Sequence, residues 1–253
     1  MNKTQIRQGL NVLAVALTII MNILANALPL NGQNTGEISD RFKVYFVPAG
    51  YVFSIWGLIY IGLIAFAIYQ LLWNNARLDR IGYWFIVSCA ANILWLFLWH
   101  YNLFVLTLLA MLTLLASLII IYLRLNISRQ RAPAIERWMV DAPFSLYLGW
   151  ITVATIANFT STLDYLRWNG WGIQPQIWAV ILLAAGVAIA VVMSLTRGDV
   201  IYQLVLIWAF VGIAVKHAGT PLVAIAAWVA AGLVAVSLAV GLLYGRRLKS
   251  KRV

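Results

Sequence analysis

The amino-acid sequence predicts an all-α integral membrane protein that crosses the bilayer about eight times. Of its 253 residues, 64% are hydrophobic and only 10% are charged, and the mean hydropathy is +0.90. Apolar runs close to the ~20 residues that span a bilayer recur along the chain. They lie near 9–29, 49–73, 81–100, 103–123, 141–162, 176–196, 200–217 and 221–244. Several are separated only by short turns, which favours an up-and-down bundle of antiparallel neighbours.

The charged residues lie in or beside the segments between the apolar runs, and their distribution predicts the orientation. With the N-terminus inside, the inner segments hold 14 of the 18 Lys and Arg residues, which places both termini in the cytoplasm. The basic tail at 246–252 is typical of contact with anionic lipids of the cytoplasmic leaflet. Despite the net charge of +11, no basic and aromatic surface outside the bilayer could follow a nucleic acid, so that partner is excluded.

The first apolar run has two interpretations. Lys3 and Arg7, followed by apolar residues and by the small-residue site 25–27, resemble a cleavable signal peptide. Against this, four polar residues fall on one helical face: Asn11, Thr18, Asn22 and Asn26. A polar face is typical of a span that stays in a bundle, so we expect the segment to be retained as a helix.

Three spans carry matching stripes of aromatic and polar side chains at helical spacing. After a turn at Pro48 and Gly50, the second span carries Phe53, Trp56 and Tyr60. The third carries Cys89, Asn92, Trp95 and Trp99, and the fifth carries Pro143, Tyr147, Trp150, Ala154 and Asn158. The stripes are explained either by packing between helices, together with an interfacial belt, or by a shared cavity in which indoles stack and Asn side chains orient a ligand.

Other candidate groups indicate little chemistry. His100 and His217 lie at segment ends, where an interfacial side chain is expected rather than a haem ligand. The single cysteine, Cys89, permits no internal disulfide and no cysteine metal site. No span carries a paired acid and base for hydrolysis, so we expect no catalytic residues, no metal and no enzymatic activity.

The order of these motifs resembles the tryptophan-rich sensory proteins, the TspO or translocator-protein family, and especially its longer bacterial members. The matching stretches are PAGYVFSIWGLIY at 48–60, ANILW at 91–95 and WITVATIAN at 150–158. The resemblance covers residues 9–162 and implies a five-helix bundle, residues 1–165. It leaves the last three spans and the basic tail, 166–253, unaccounted for. It also implies a multi-pass protein of the bacterial inner membrane.

The resemblance implies a ligand pocket beneath the loop between the first two helices, which binds porphyrins, sterol-like lipids or other hydrophobic ligands. Pro48 matches the first proline of a proline pair in that loop, while Ala49 stands where the second is usual. The resemblance and the stripes together select eight ligand-binding residues: Trp56, Tyr60, Asn92, Trp95, Tyr147, Trp150, Ala154 and Asn158.

Three functions follow as hypotheses. The first is a membrane receptor or carrier with a sensory or regulatory role, which binds a porphyrin or haem-type tetrapyrrole and needs no obligatory cofactor. The second is a multispanning transporter of a small hydrophobic or amphipathic solute, completed by the last three helices. The third, an enzyme that degrades porphyrin in light, has only indoles near a pigment in its favour. Whether the last spans line a homodimer or cap the bundle stays open.

Overall fold

The computed structural model describes residues 3–28, 30–73 and 75–250, with side chains as far as residue 243. Eight long helices dominate it, and none of the described residues forms a strand. They are α1 (Lys3–Ala27), α2 (Ile55–Leu72), α3 (Trp84–His100), α4 (Phe104–Arg124), α5 (Ala142–Tyr165), α6 (Pro175–Arg197), α7 (Val200–Lys216) and α8 (Pro221–Ser250). The all-α prediction is therefore confirmed. The side chains of the basic tail, with its predicted lipid contact, lie outside the described residues.

The helices match the eight predicted apolar runs, with shifts mainly at their ends. Six helical segments are long and apolar enough to cross a membrane by length and composition. The other two, α3 and α7, are apolar helices of 17 residues each. The second run does not begin as an α-helix, because Gly50–Ser54 forms a 3-10 turn that leads directly into α2.

The chain folds into two compact units that interleave in sequence. The first unit contains Met1–Lys43 and Ile55–Leu166, and the second contains Val44–Ser54 and Arg167–Val253. The division predicted from the sequence, 1–165 and 166–253, stays a prediction; the compact units differ from it in grouping residues 44–54 with the second unit. This short segment packs with the last three helices because its backbone and side chains pair with α7.

In the first unit, α1 turns its polar stripe towards its neighbours. Asn11 donates from Nδ2 to Oε1 of Gln70 at 2.8 Å, and Asn22 donates to Oδ1 of Asn92 at 2.8 Å. Thr18 is also buried, whereas Asn26 is exposed. Since buried amides gain most when they pair with each other, these bonds fix α1 against α2 and α3. The expected polar face is thus confirmed for three of its four residues.

A buried ion network closes one end of the first unit. Arg77 donates to Oε1 of Glu136 at 2.5 Å, to Oδ1 of Asp141 at 2.6 Å and, through Nε, to the Leu125 carbonyl at 2.9 Å. A π-helical turn, Arg137–Asp141, follows Glu136, ends at Asp141 and leads into α5. In the predicted orientation Arg77 is one of the inner basic residues, a prediction that its burial leaves untouched. Two acids that follow about 60 residues later in the chain pair with it inside the protein.

In the second unit, α6, α7 and α8 pack closely through small residues. A Cβ atom on Gly186 would lie 2.7 Å from Cζ of Phe210, and one on Gly241 would lie 2.3 Å from Oγ of Ser194. Ser194 itself donates to the Ser237 carbonyl at 2.6 Å. Since helix association in lipid depends on close packing, these glycines allow the helices to approach each other.

Candidate functional site

Trp56 is the centre of an aromatic cluster in the first unit. Its ring stacks on Tyr60, with centroids 5.6 Å apart and planes inclined by 23°. Edge-to-face contacts join it to Tyr147, at 5.9 Å, and to Trp150, at 6.3 Å. Trp56 and Tyr60 are half-buried, whereas Tyr147 and Trp150 are only 1% and 3% exposed. The cluster, defined by these four residues, therefore has a partly open side and a buried back.

Helical spacing explains why these four rings meet. Trp56 and Tyr60 are four residues apart on α2, and Tyr147 and Trp150 are three apart on α5, so each pair shares one face of its helix. A close approach of the two helices brings the faces together. At Gly62 of α2, an added Cβ would lie only 3.0 Å from Cβ of Pro143 on α5.

Asn92 supports the back of the aromatic cluster. Its Nδ2 donates to the Tyr147 hydroxyl at 2.9 Å, and its Oδ1 accepts from Nδ2 of Asn22 at 2.8 Å. The side chain is 2% exposed, so these protein partners surround it. The ligand contact predicted for Asn92 stays a prediction; in the structure its amide is hydrogen-bonded to the hydroxyl of Tyr147.

A second polar group lies further along α5. Oδ1 of Asn158 accepts from the indole Nε1 of Trp95 at 2.8 Å, and its Nδ2 donates to the Thr107 hydroxyl at 2.8 Å. Trp95 also stacks on Trp99, with centroids 5.3 Å apart and planes inclined by 20°. These bonds tie α3, α4 and α5 together. Ala154, which is half-buried, lies on α5 between Trp150 and Asn158.

Seven of the eight predicted site residues therefore form two groups connected by α5, and the eighth, Ala154, lies on α5 between them. One contains the aromatic cluster with Asn92, and the other contains Trp95 and Asn158. Two residues that hydrogen-bond to these groups were not among the predicted site residues. They are Asn22, which the sequence placed on a bundle-facing stripe, and Thr107, an isolated hydroxyl in an apolar run. The sequence does not distinguish such a hydroxyl from one that hydrogen-bonds only to its own helix, because the difference lies in a partner on a neighbouring helix.

The two histidines lie in different environments. His100 was expected as an interfacial side chain at a segment end; it is 0% exposed and packs inside the protein, with Nδ1 2.8 Å from the Leu96 carbonyl oxygen. His217 directly follows α7, is half-buried and lies 5.2 Å from the ring of Tyr45. Burial, and then the charge of Lys216, lower the pKa of His217 below its ordinary 6.5, against the effect of hydrogen bonds to backbone carbonyls.

The chemistry of the aromatic cluster is that of apolar recognition. Its four members are uncharged rings, and edge-to-face and offset contacts are the arrangements that aromatic rings prefer. Among the described residues, no group of three or more His, Cys, Asp or Glu side chains could hold a metal ion. The cluster suits a flat, largely apolar partner.

A family model described as "TSPO-like protein" matches residues 8–240 of the chain. The match extends through α6, α7 and most of α8, beyond the motifs at 48–60, 91–95 and 150–158. No curated protein and no solved structure matched the chain.

Proposed function

Because the chain belongs to the TSPO-like family and is an integral, multi-pass membrane protein, we propose that it is a receptor or carrier that binds a flat hydrophobic ligand. The ligand class is a porphyrin or related tetrapyrrole, bound at the aromatic cluster, and the role is sensory or regulatory. The observation that supports this is the half-buried Trp56–Tyr60 pair, backed by the buried rings of Tyr147 and Trp150.

The rings would select for shape more than for extreme affinity. Each aromatic contact contributes about 0.5–1.5 kcal/mol beyond the area that it buries. A planar macrocycle can lie against the open face of the stacked pair and contact several ring edges at once. A bulky, non-planar ligand of equal hydrophobicity would contact fewer of them and bind less tightly.

The polar residues act mainly on the rings. Asn92 keeps the Tyr147 ring at the back of the aromatic cluster, and Asn158 keeps Trp95 against α5. Ala154 has little volume between Trp150 and Asn158, so on this proposal it leaves room for the ligand beside the rings. On this proposal, Asn92 and Asn158 orient the site through Tyr147 and Trp95, and their replacement changes ligand selectivity as well as affinity.

Titration of the purified protein in mild detergent with protoporphyrin IX, followed by tryptophan fluorescence, tests the proposal. We expect saturable quenching in the unmodified chain and about tenfold weaker binding after Trp56→Ala, which corresponds to about 1.4 kcal/mol. Trp171→Ala is the matched control. Trp171 lies in the second unit, is 75% exposed and contacts only other indoles among the ring contacts of the described residues. Equal affinities for the unmodified chain and Trp56→Ala would overturn the site assignment.

A carrier, a receptor and an enzyme differ in measurable ways. Flux of a porphyrin into proteoliposomes would favour the transporter hypothesis, whereas saturable binding without flux favours a receptor. A modified tetrapyrrole that forms only under illumination would overturn the proposal that the protein is not an enzyme.

We further propose that both termini face the cytoplasm of a bacterial inner membrane, near anionic lipids, which reporter fusions at either end would test. Cross-linking in membranes would test the homodimer.

A further inference from the structure

The segment Val44–Ser54, which we call the docked segment, pairs with α7 inside the second unit. The backbone N–H of Ala49 donates to the Gly212 carbonyl at 3.1 Å, and the indole Nε1 of Trp208 donates to the Val52 carbonyl at 3.1 Å. These bonds hold the segment at two points three residues apart. It is therefore bound along α7 rather than lying free as a surface loop.

Side-chain contacts extend this docking over the length of the segment. Phe46 meets Phe210 at 6.4 Å, and Tyr51 meets Trp208 at 5.3 Å, both edge to face. Val52 is 0% exposed. At the other end, the Tyr45 hydroxyl accepts from the Gln176 side chain of α6 at 3.1 Å.

Gly212 is the point of closest approach. A Cβ atom there would lie 2.2 Å from Cγ2 of Val52 and 3.0 Å from Cβ of Pro48. Real Cβ atoms do not approach other heavy atoms to 2.2 Å, so any larger residue at 212 must shift the Val52 side chain, the docked segment or α7. Ala49 has a matching role: a proline at this position would lack the N–H that bonds to Gly212.

We propose that α7 is the docking surface for residues 44–54 and that Gly212 is a positioning residue for the start of α2. The 3-10 turn Gly50–Ser54 continues without a break into α2, and Trp56 follows Ser54 by only two residues. Docking therefore fixes the backbone from which Trp56 projects. Its effect on ligand binding rests on the function proposed above, whereas its effect on the start of α2 does not.

Gly212→Ala tests the docking through two cysteine reporters, each in an otherwise unmodified chain. Val47→Cys reports on the docked segment and Ile55→Cys on the first residue of α2, since Val47 and Ile55 are 3% and 4% exposed. Cys89, also buried, sets the background labelling in the parent chain. We expect Gly212→Ala to raise maleimide labelling at both reporters about tenfold, equivalent to about 1.4 kcal/mol of lost docking.

Two further variants separate a specific effect from general damage. Val52→Ala combined with Gly212→Ala removes Cγ2 and with it the 2.2 Å contact, so the new Cβ would meet Cβ at position 52 at an ordinary 3.4 Å, while the 3.0 Å approach to Cβ of Pro48 remains. Because the severe contact is gone, we expect this double variant to label clearly less than Gly212→Ala, closer to the parent chain. Gly232→Ala on α8 is the matched control, because a Cβ there meets no atom within 4 Å.

The outcomes distinguish this inference from the proposed function. Unchanged labelling at position 47 in Gly212→Ala, or no recovery in the double variant, overturns the docking. Increased labelling at 47 with none at 55 overturns the effect on α2. With protoporphyrin IX as the probe, about tenfold weaker binding in Gly212→Ala and recovery in the double variant support the link to the site. No binding by the parent chain refutes the porphyrin proposal, while the labelling still decides the docking.

Discussion

Arg77→Met is expected to be among the most damaging single substitutions in the first unit. It removes the cation that joins two carboxylates, at 2.5 Å to Glu136 and 2.6 Å to Asp141. The three side chains are 6%, 4% and 12% exposed, so water cannot replace the lost partner. Methionine has a similar length and preserves the packing, which isolates the electrostatic change.

The structure sets the size of the effect. Removing one member of a buried ion network costs about 3–5 kcal/mol, because the remaining charges stay buried and uncompensated. Two charge-assisted hydrogen bonds, each contributing about 1.5–3 kcal/mol net, give a similar figure. Adding Glu136→Gln and Asp141→Asn to Arg77→Met removes those charges. The triple variant should therefore recover most of the lost stability.

The free energy of unfolding, measured by SDS titration in mixed micelles with circular dichroism, tests this reasoning. Arg7→Met is the matched control, because its ion-pair partner Asp79 is 43% exposed and such pairs contribute below about 1 kcal/mol. A loss below about 1 kcal/mol in Arg77→Met would refute the estimate. A triple variant as unstable as Arg77→Met would show that the buried charges are not the cause.

Three other perturbations have defined outcomes. Asn158→Leu should lower the free energy of unfolding by about 1–2 kcal/mol, because interhelical hydrogen bonds are lost; a double-mutant cycle with Trp95→Phe should be non-additive. The fold lowers the pKa of His217, so protonating it as pH falls from about 7.5 to about 5.5 should destabilise the docked segment and increase maleimide labelling of the Val47→Cys reporter. His217→Gln should abolish this pH dependence. Gly62→Ala should cost about 1–2 kcal/mol through overpacking, whereas Gly9→Ala, in open space, should be neutral or stabilising by up to about 1 kcal/mol.

Periodicity explains the parts of the site that the sequence predicted. The spacing of Trp56 and Tyr60 requires a shared face on a helix, and the structure stacks them. The partner of Asn92 could not be predicted in the same way. An amide has both donors and acceptors, so its bonds to Asn22 and Tyr147 follow from how three helices pack and not from local spacing.

Long-range pairing explains most of the other differences. Arg77 lies in the short helix Ala76–Asp79 between two apolar runs, where an arginine is ordinarily solvated, so its burial depends on acids about 60 residues away converging on it. Ala49 looked like a simple departure from a proline pair. Its N–H is in fact needed for the bond to α7, a partner that no local pattern indicates.

The interleaved chain has a consequence for synthesis in the cell. Val52 and Trp208, which share a hydrogen bond, are 156 positions apart, so α7 emerges from the ribosome long after α2 has been made. Until then, the apolar residues of segment 44–54 lack the helix that covers them. Expression of residues 1–166 alone would make this temporary state permanent. A shortened chain is therefore a poor substitute for the whole protein, and chaperone contacts during translation are expected to concentrate on this segment.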